Sequence, residues 1–134
     1  MAMDDAVRQA LTQGGTIDIT TTGRTSGQPR RIEIVFSTLD GTVYITGTSG
    51  RPRSWYANLR THPSFTFHLK QGVVADLRAR ATPITDPAQR RAVLTSLVQG
   101  FAERSAQPFE VEAWVQSSPL VSVTFESDER PAGT

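Results

Sequence analysis

Between Gly23 and Trp55 the chain carries five of its 14 lysine and arginine residues, Arg24, Arg30, Arg31, Arg51 and Arg53. They sit in two segments rich in glycine, serine and proline: Thr22-Gly23-Arg24-Thr25-Ser26-Gly27-Gln28-Pro29-Arg30-Arg31, and Ser49-Gly50-Arg51-Pro52-Arg53-Ser54-Trp55-Tyr56-Ala57-Asn58-Leu59. Such composition suits anion recognition. Glycines on either side of Arg24-Thr25-Ser26 allow positive φ and a concave nest of backbone N–H groups, Thr25 and Ser26 add hydroxyl donors, and a guanidinium grips phosphate or carboxylate bidentately. The same residues also suit a tight turn carrying solvated arginines.

The second segment adds aromatic surface. Trp55 and Tyr56 open a short helix whose N-terminus favours negative charge. Trp55 fits either a planar ligand ring or the protein core, and Asn58 either a ligand or a backbone group that needs capping. Elsewhere the usual catalytic constellations are absent. His62 precedes a proline and His68 falls on a polar strand face, where solvent exposure is expected. No Ser-His-Asp arrangement and no pair of carboxylates at metal-ligand spacing emerges, and without cysteine there is neither a thiol nucleophile nor a cysteine metal site. An enzyme built this way needs a bound cofactor for the difficult chemistry.

The elements that must hold these segments can be read from periodicity. Val7, Ala10 and Leu11 recur at helical spacing between Met3 and Gln13. Ile17 and Ile19 alternate with polar residues as a half-buried strand. Ile32, Ile34 and Phe36 share a face of the next, and Asp40-Gly41 marks a two-residue hairpin into Val43 and Ile45. Ser54 can cap a helix over 55–60 that His62-Pro63 ends. Phe65, Phe67 and Leu69 define a fourth strand, and the small residues Ala75, Ala79 and Ala81 with Leu77 define a fifth suited to tight curvature. Asp86-Pro87-Ala88-Gln89 starts a helix with the apolar stripe Val93, Leu94, Leu97, Val98 and Phe101. A second amphipathic piece covers 109–115, Val121, Val123 and Phe125 form the last strand, and a polar tail covers 128–134. The alternating strands predict a mainly β (α+β) six-stranded antiparallel barrel with two to three flanking helices, as one domain over 1–134.

Composition narrows the partners. A net charge of +1 does not advertise a nucleic-acid binder, and few aromatic residues interleave with the arginines. Acidic residues gather toward both ends and leave the middle basic, which points to a small anion. No apolar run approaches the roughly 20 residues of a membrane span. The acidic start, Met1-Ala2-Met3-Asp4-Asp5, is unlike a signal peptide, so a cytoplasmic location is expected.

Together, Thr21 to Arg30, Trp55-Tyr56-Ala57-Asn58-Leu59 and His62-Pro63 closely resemble the deazaflavin-dependent nitroreductase family. The similarity covers roughly residues 15 to 100, through Ala79-Arg80-Ala81 and Thr85-Asp86. The resemblance implies a split β-barrel related to pyridoxamine-phosphate oxidases, commonly a homodimer, that binds coenzyme F420. It implies that Arg24, Thr25, Ser26, Gly27, Gln28 and Arg30 form the turn for the phosphate and polyglutamate tail. By the same likeness Thr46, Gly47, Thr48, Ser49 and Gly50 border the deazaflavin ring, and Trp55 and Asn58 lie on the helix that closes the pocket. Many members carry lysine where this chain has Thr25 and in the loop near Thr48; Arg51 and Arg53 can supply that charge from other positions. The implied activity is hydride transfer to a small electron acceptor, a quinone, nitro compound or activated alkene. Tyr44, Tyr56 and Ser49 are the hydroxyls to test as proton donors. FMN as cofactor, and a non-catalytic carrier of a cofactor or lipid-like ligand, are the alternatives.

Overall fold

A computed structural model describes residues 5–47, 54–105, 115, 116 and 118–126, and the loop 48–53 lies outside it. The element order is α1 (Asp5–Gln13), β1 (Gly15–Thr22), β2 (Pro29–Leu39), β3 (Thr42–Thr46), α2 (Ser54–Thr61), β4 (Ser64–Leu69), β5 (Ala75–Pro83), α3 (Pro87–Ser105) and β6 (Leu120–Phe125). All neighbouring strands are antiparallel and the sheet closes in the order β1-β2-β3-β6-β5-β4. The expected six-stranded barrel is therefore present. The predicted piece over 109–115 and the tail over 128–134 fall mostly or wholly outside the described residues.

Period-two alternation builds the interior. Ile17 and Ile19 of β1, Phe36 of β2, Val43 and Ile45 of β3, Phe65, Phe67 and Leu69 of β4, and Val121, Val123 and Phe125 of β6 form one buried cluster. Phe67 stands edge-on to both Phe36 and Phe125, with centroids 5.1 Å apart in each pair. Opposite the large residues of β6 stand small ones: Ala79 pairs with Phe125 and Ala81 with Val123. This size matching lets the sheet curve shut. The β2–β3 hairpin turns through Asp40 and Gly41 at φ 51° and 82°, the left-handed pair that a two-residue turn demands.

A second core lies on the outside of the β3–β6 wall. Val93, Leu94, Leu97 and Val98 of α3 pack with Ile84, Val115 and Leu120, and Tyr44 closes against them. Asp86 caps α3 as expected, accepting the Gln89 amide at 2.9 Å. Periodicity does not reveal the role of Arg90. Its guanidinium donates to the carbonyls of Ile84 (3.1 Å), Val115 (2.8 Å) and Ser118 (2.7 Å), and so fixes the chain entering β6.

The outer face of β2-β1-β4 is polar and charged. Asp18 accepts from Lys70 Nζ at 2.7 Å and from Arg31 Nε at 2.9 Å, and Lys70 also bonds Glu33. His68 departs from expectation. It is 7% exposed, and Thr20 and Asp76 flank it at 2.7 Å each.

Hydrogen bonds from Lys70, then Arg31, lower the Asp18 pKa below its ordinary 3.8, and hydrogen bonds to Asp18, then Glu33, raise that of Lys70 above 10.5. The Asp18 contribution is thus present above pH 3.8 and is lost as pH falls through its lowered value, whereas that of Lys70 is lost as pH rises through its raised value. Thermal melts against pH should show Asp18→Asn with a lower neutral Tm and a flatter acid limb; parallel curves would mean the cluster contributes nothing to folding. Arg90→Met should cost about 2–3 kcal/mol in denaturant unfolding, because it strands buried carbonyls.

Candidate functional site

The β1–β2 loop is shaped by its glycines. Gly27, at φ 70°, adopts a left-handed turn, and a Cβ on Gly23 would lie 2.5 Å from Ser26 Oγ and 3.3 Å from the Gln28 carbonyl. The loop closes on itself: Gly23 N–H donates to Gln28 O at 2.8 Å and Gly27 N–H to Gly23 O at 2.9 Å. Gln28 N–H donates to Ser26 Oγ at 3.2 Å, and Arg24 N–H donates to Asn58 Oδ1 at 3.0 Å. The amides of Gly23, Arg24, Gly27 and Gln28 are thereby engaged within the protein, which leaves those of Thr25 and Ser26, with the loop's side chains, for the expected anion nest.

Across from the loop stands α2. Its inward face buries Trp55, Asn58 and Leu59. Asn58 is 4% exposed and joins three elements, since its Nδ2 donates to Thr21 Oγ1 of β1 at 3.1 Å while its Oδ1 holds the loop amide of Arg24. Its structural use is therefore the capping role, with both ends of the amide satisfied inside the protein. Trp55 is 8% exposed and belongs to the barrel core, yet it also forms a wall of the space between α2 and the loop.

That space is a cleft of about 320 Å³ lined by Thr21, Gly23, Arg24, Thr25, Ser26, Arg30, Ile32, Ser54, Trp55 and Asn58. The first segment and the α2 part of the second thus meet at one place. Among the described residues neither Arg24 nor Arg30 has an ion-pair partner. Two guanidinium groups and the hydroxyls of Thr25, Ser26 and Ser54 share the cleft with the apolar surfaces of Trp55 and Ile32. A positive, hydroxyl-rich rim beside an apolar wall can hold a ligand with an anionic arm and a flat ring.

Other expected residues lie apart from this cleft or beneath it. Gly27 borders a separate groove on the far side of the loop, and Gln28 contributes its backbone to loop closure. Thr46 donates its hydroxyl to the Pro119 carbonyl at 2.6 Å. A Cβ on Gly47 would lie 3.4 Å from Pro119 and 3.5 Å from Trp55, so these two residues form the footing under the tryptophan. Tyr44 packs under α3, and Tyr56 stands edge-on to Trp55 at 5.9 Å with Arg60 over its ring; neither lines the cleft. Thr48, Ser49, Gly50, Arg51 and Arg53 lie outside the described residues. Thr21 and Ile32 line the cleft without having been singled out, although each continues an inward period-two series, Ile17-Ile19-Thr21 and Phe36-Ile34-Ile32. Among the described residues no cluster of metal-ligating side chains occurs, and no helix is long and apolar enough to cross a membrane.

Asn58→Ala leaves the Arg24 amide and the buried Thr21 hydroxyl without their partner. It should cost about 1–3 kcal/mol in chemical denaturation. It should also speed hydrogen exchange at the Arg24 amide; unchanged exchange there would show that the loop holds itself without α2.

Comparison with known proteins agrees with this geometry. Solved structures with the same fold include an F420 reductase (TM-score 0.65, 16% identity, covering 92% of this chain and 95% of that one). Another is an F420-H2 dependent reductase (0.57, 18%, 82% and 94%). A candidate pyridoxamine 5'-phosphate oxidase from Listeria innocua aligns at 0.66 and 14% identity over 91% of this chain and 92% of its own, so the barrel is of the pyridoxamine-phosphate-oxidase type. No curated protein matches the chain in sequence. The profile of the F420H(2)-dependent quinone reductases matches residues 2–108, which span the barrel strands β1 to β5, the loop and α2, and the chain accordingly belongs to that family of oxidoreductases.

Proposed function

We propose that the cleft between the β1–β2 loop and α2 holds the anionic part of coenzyme F420, and that the protein reduces a quinone with it. The observation that carries this reading is the meeting of Arg24 and Arg30, both without acidic partners among the described residues, with the apolar walls of Trp55 and Ile32. Ligand pockets run from roughly 300 Å³ upward. A cleft of about 320 Å³ therefore fits one portion of a cofactor as long as F420, and its donor set fits the phosphate or a tail carboxylate. When bound, the reduced deazaflavin supplies a hydride to the acceptor.

The chain's own residues bind and orient. Arg24 and Arg30 neutralise the negative arm, and Thr25, Ser26 and Ser54 supply directional hydroxyl donors. Trp55 and Ile32 keep water from the inner wall, which strengthens those polar contacts. Asn58 holds the loop to α2 and so keeps both arginines facing the same space, a contribution of positioning more than of chemistry. Nitro compounds and activated alkenes are the competing acceptor classes. A homodimer in the cytoplasm is the proposed working form.

Binding titrations with F420 and with FMN, followed by quinone-dependent oxidation of each reduced form, test the proposal. F420 should bind and turn over with quinone. Binding without turnover of any acceptor would favour a carrier, and preferential FMN binding would replace the cofactor. Arg30→Ala should weaken F420 binding about tenfold, the value of one charge-assisted hydrogen-bonded pair; unchanged affinity would remove the loop from the site.

A further inference from the structure

On the opposite side of β1 from the cleft, three side chains form a relay. Asp76 Oδ1 lies 2.7 Å from His68 Nδ1, and His68 Nε2 lies 2.7 Å from Thr20 Oγ1. The carboxylate at Nδ1 fixes the proton on that nitrogen and leaves Nε2 as the acceptor for the Thr20 hydroxyl. Asp18, which stands directly across from His68 in the β1–β4 register, does not compete for it, because its carboxylate is held by Lys70 and Arg31. The imidazole is 7% exposed and is pinned on both nitrogens, so its orientation is set.

Thr20 itself opens onto a groove of about 450 Å³ that is distinct from the cofactor cleft. Ser64, Thr66, Arg78 and the carboxylate residue Glu126 line the same groove. Thr20, Thr66 and Arg78 are successive partners across β1, β4 and β5, and among the described residues Arg78 has no ion pair. A hydroxyl, a base within hydrogen-bond reach, a third group that orients the base, and a free guanidinium on the same face are the parts required for acyl transfer.

We propose that Thr20 is a nucleophile activated by His68 and Asp76, and that it takes acyl groups from activated esters bound in this groove. Thr20 Oγ1 forms a bond to the acyl carbon as its proton passes to His68 Nε2. Arg78 faces the negative charge that develops on the carbonyl oxygen. The bond from that carbon to the leaving alcohol breaks, and the alcohol departs with the proton from His68. Water then adds to the acyl carbon of the Thr20 ester as its proton passes to His68 Nε2, the bond to Thr20 Oγ1 breaks, Oγ1 takes that proton back, and the carboxylic acid leaves. Nothing in this sequence draws on the cofactor cleft, so it stands or falls independently of the reductase activity.

The probe is p-nitrophenyl acetate with the full-length protein, read by nitrophenolate release and by peptide mass mapping. Acetyl should appear on the peptide bearing Thr20 before it appears at Ser64 or Thr66, and Thr20→Val should abolish it. His68→Gln and Asp76→Asn should each slow acetylation by about tenfold or more. Because replacing buried His68 puts the fold at risk, the mostly exposed Asp76 carries the decisive variant, checked by circular dichroism. Even acetylation of all three hydroxyls, or an unchanged rate in Asp76→Asn, overturns the proposal.

Discussion

The cleft depends on one buried amide. Asn58 has two ends of opposite character, and each meets a group of another element: the buried Thr21 hydroxyl on β1 and the part-buried Arg24 amide in the loop. Burying either group alone is unfavourable, so the arrangement in which helix, strand and loop converge is the one that satisfies all three. From that junction the rest follows outward. Trp55, one helical turn before Asn58, is set close to Gly47 and Pro119, near enough that a Cβ on Gly47 would touch both in ordinary van der Waals contact. Pro119 in turn is positioned by the Arg90 guanidinium, which holds the preceding carbonyl of Ser118. A residue on α3, remote in sequence, thereby helps to seat the wall of the cleft.

Much of the fold was legible because the barrel obeys simple periodicities. Alternation placed every strand, the Asp40-Gly41 pair fixed the hairpin, and the Asp86-Pro87 start located α3. The meeting of the β1–β2 loop with α2 was readable only from the family resemblance of both segments together, since glycine, arginine and tryptophan taken separately suit a turn or a core as well as a ligand. What escaped was whatever depends on long-range partners. His68 reads as an exposed polar residue on its strand, and only the neighbouring strands, bringing Thr20 and Asp76 beside it, make it buried. Arg90 looks like a surface residue of an amphipathic helix, and its carbonyl partners come from segments that local pattern cannot place. Of the loop amides expected to face a ligand, that of Arg24 is taken by the asparagine of α2, a partner remote in sequence.

The two faces of the barrel wall answer to different physics. Inside, size matching between alanines of β5 and the large residues of β6 sets the curvature. Outside, on the face of β2-β1-β4, ionic and hydroxyl networks link side chains of neighbouring strands. Such surface pairs contribute modestly to stability and are sensitive to salt, so their value lies in specifying register as much as in holding the sheet together.

Strand β1 joins these worlds in its last turn of alternation. Thr21 points in and supports the cleft through Asn58, whereas Thr20, its immediate neighbour, points out toward His68. A single residue step therefore separates two chemical environments, and Thr21, which borders both spaces, is the position at which one substitution would be felt on each side of the wall.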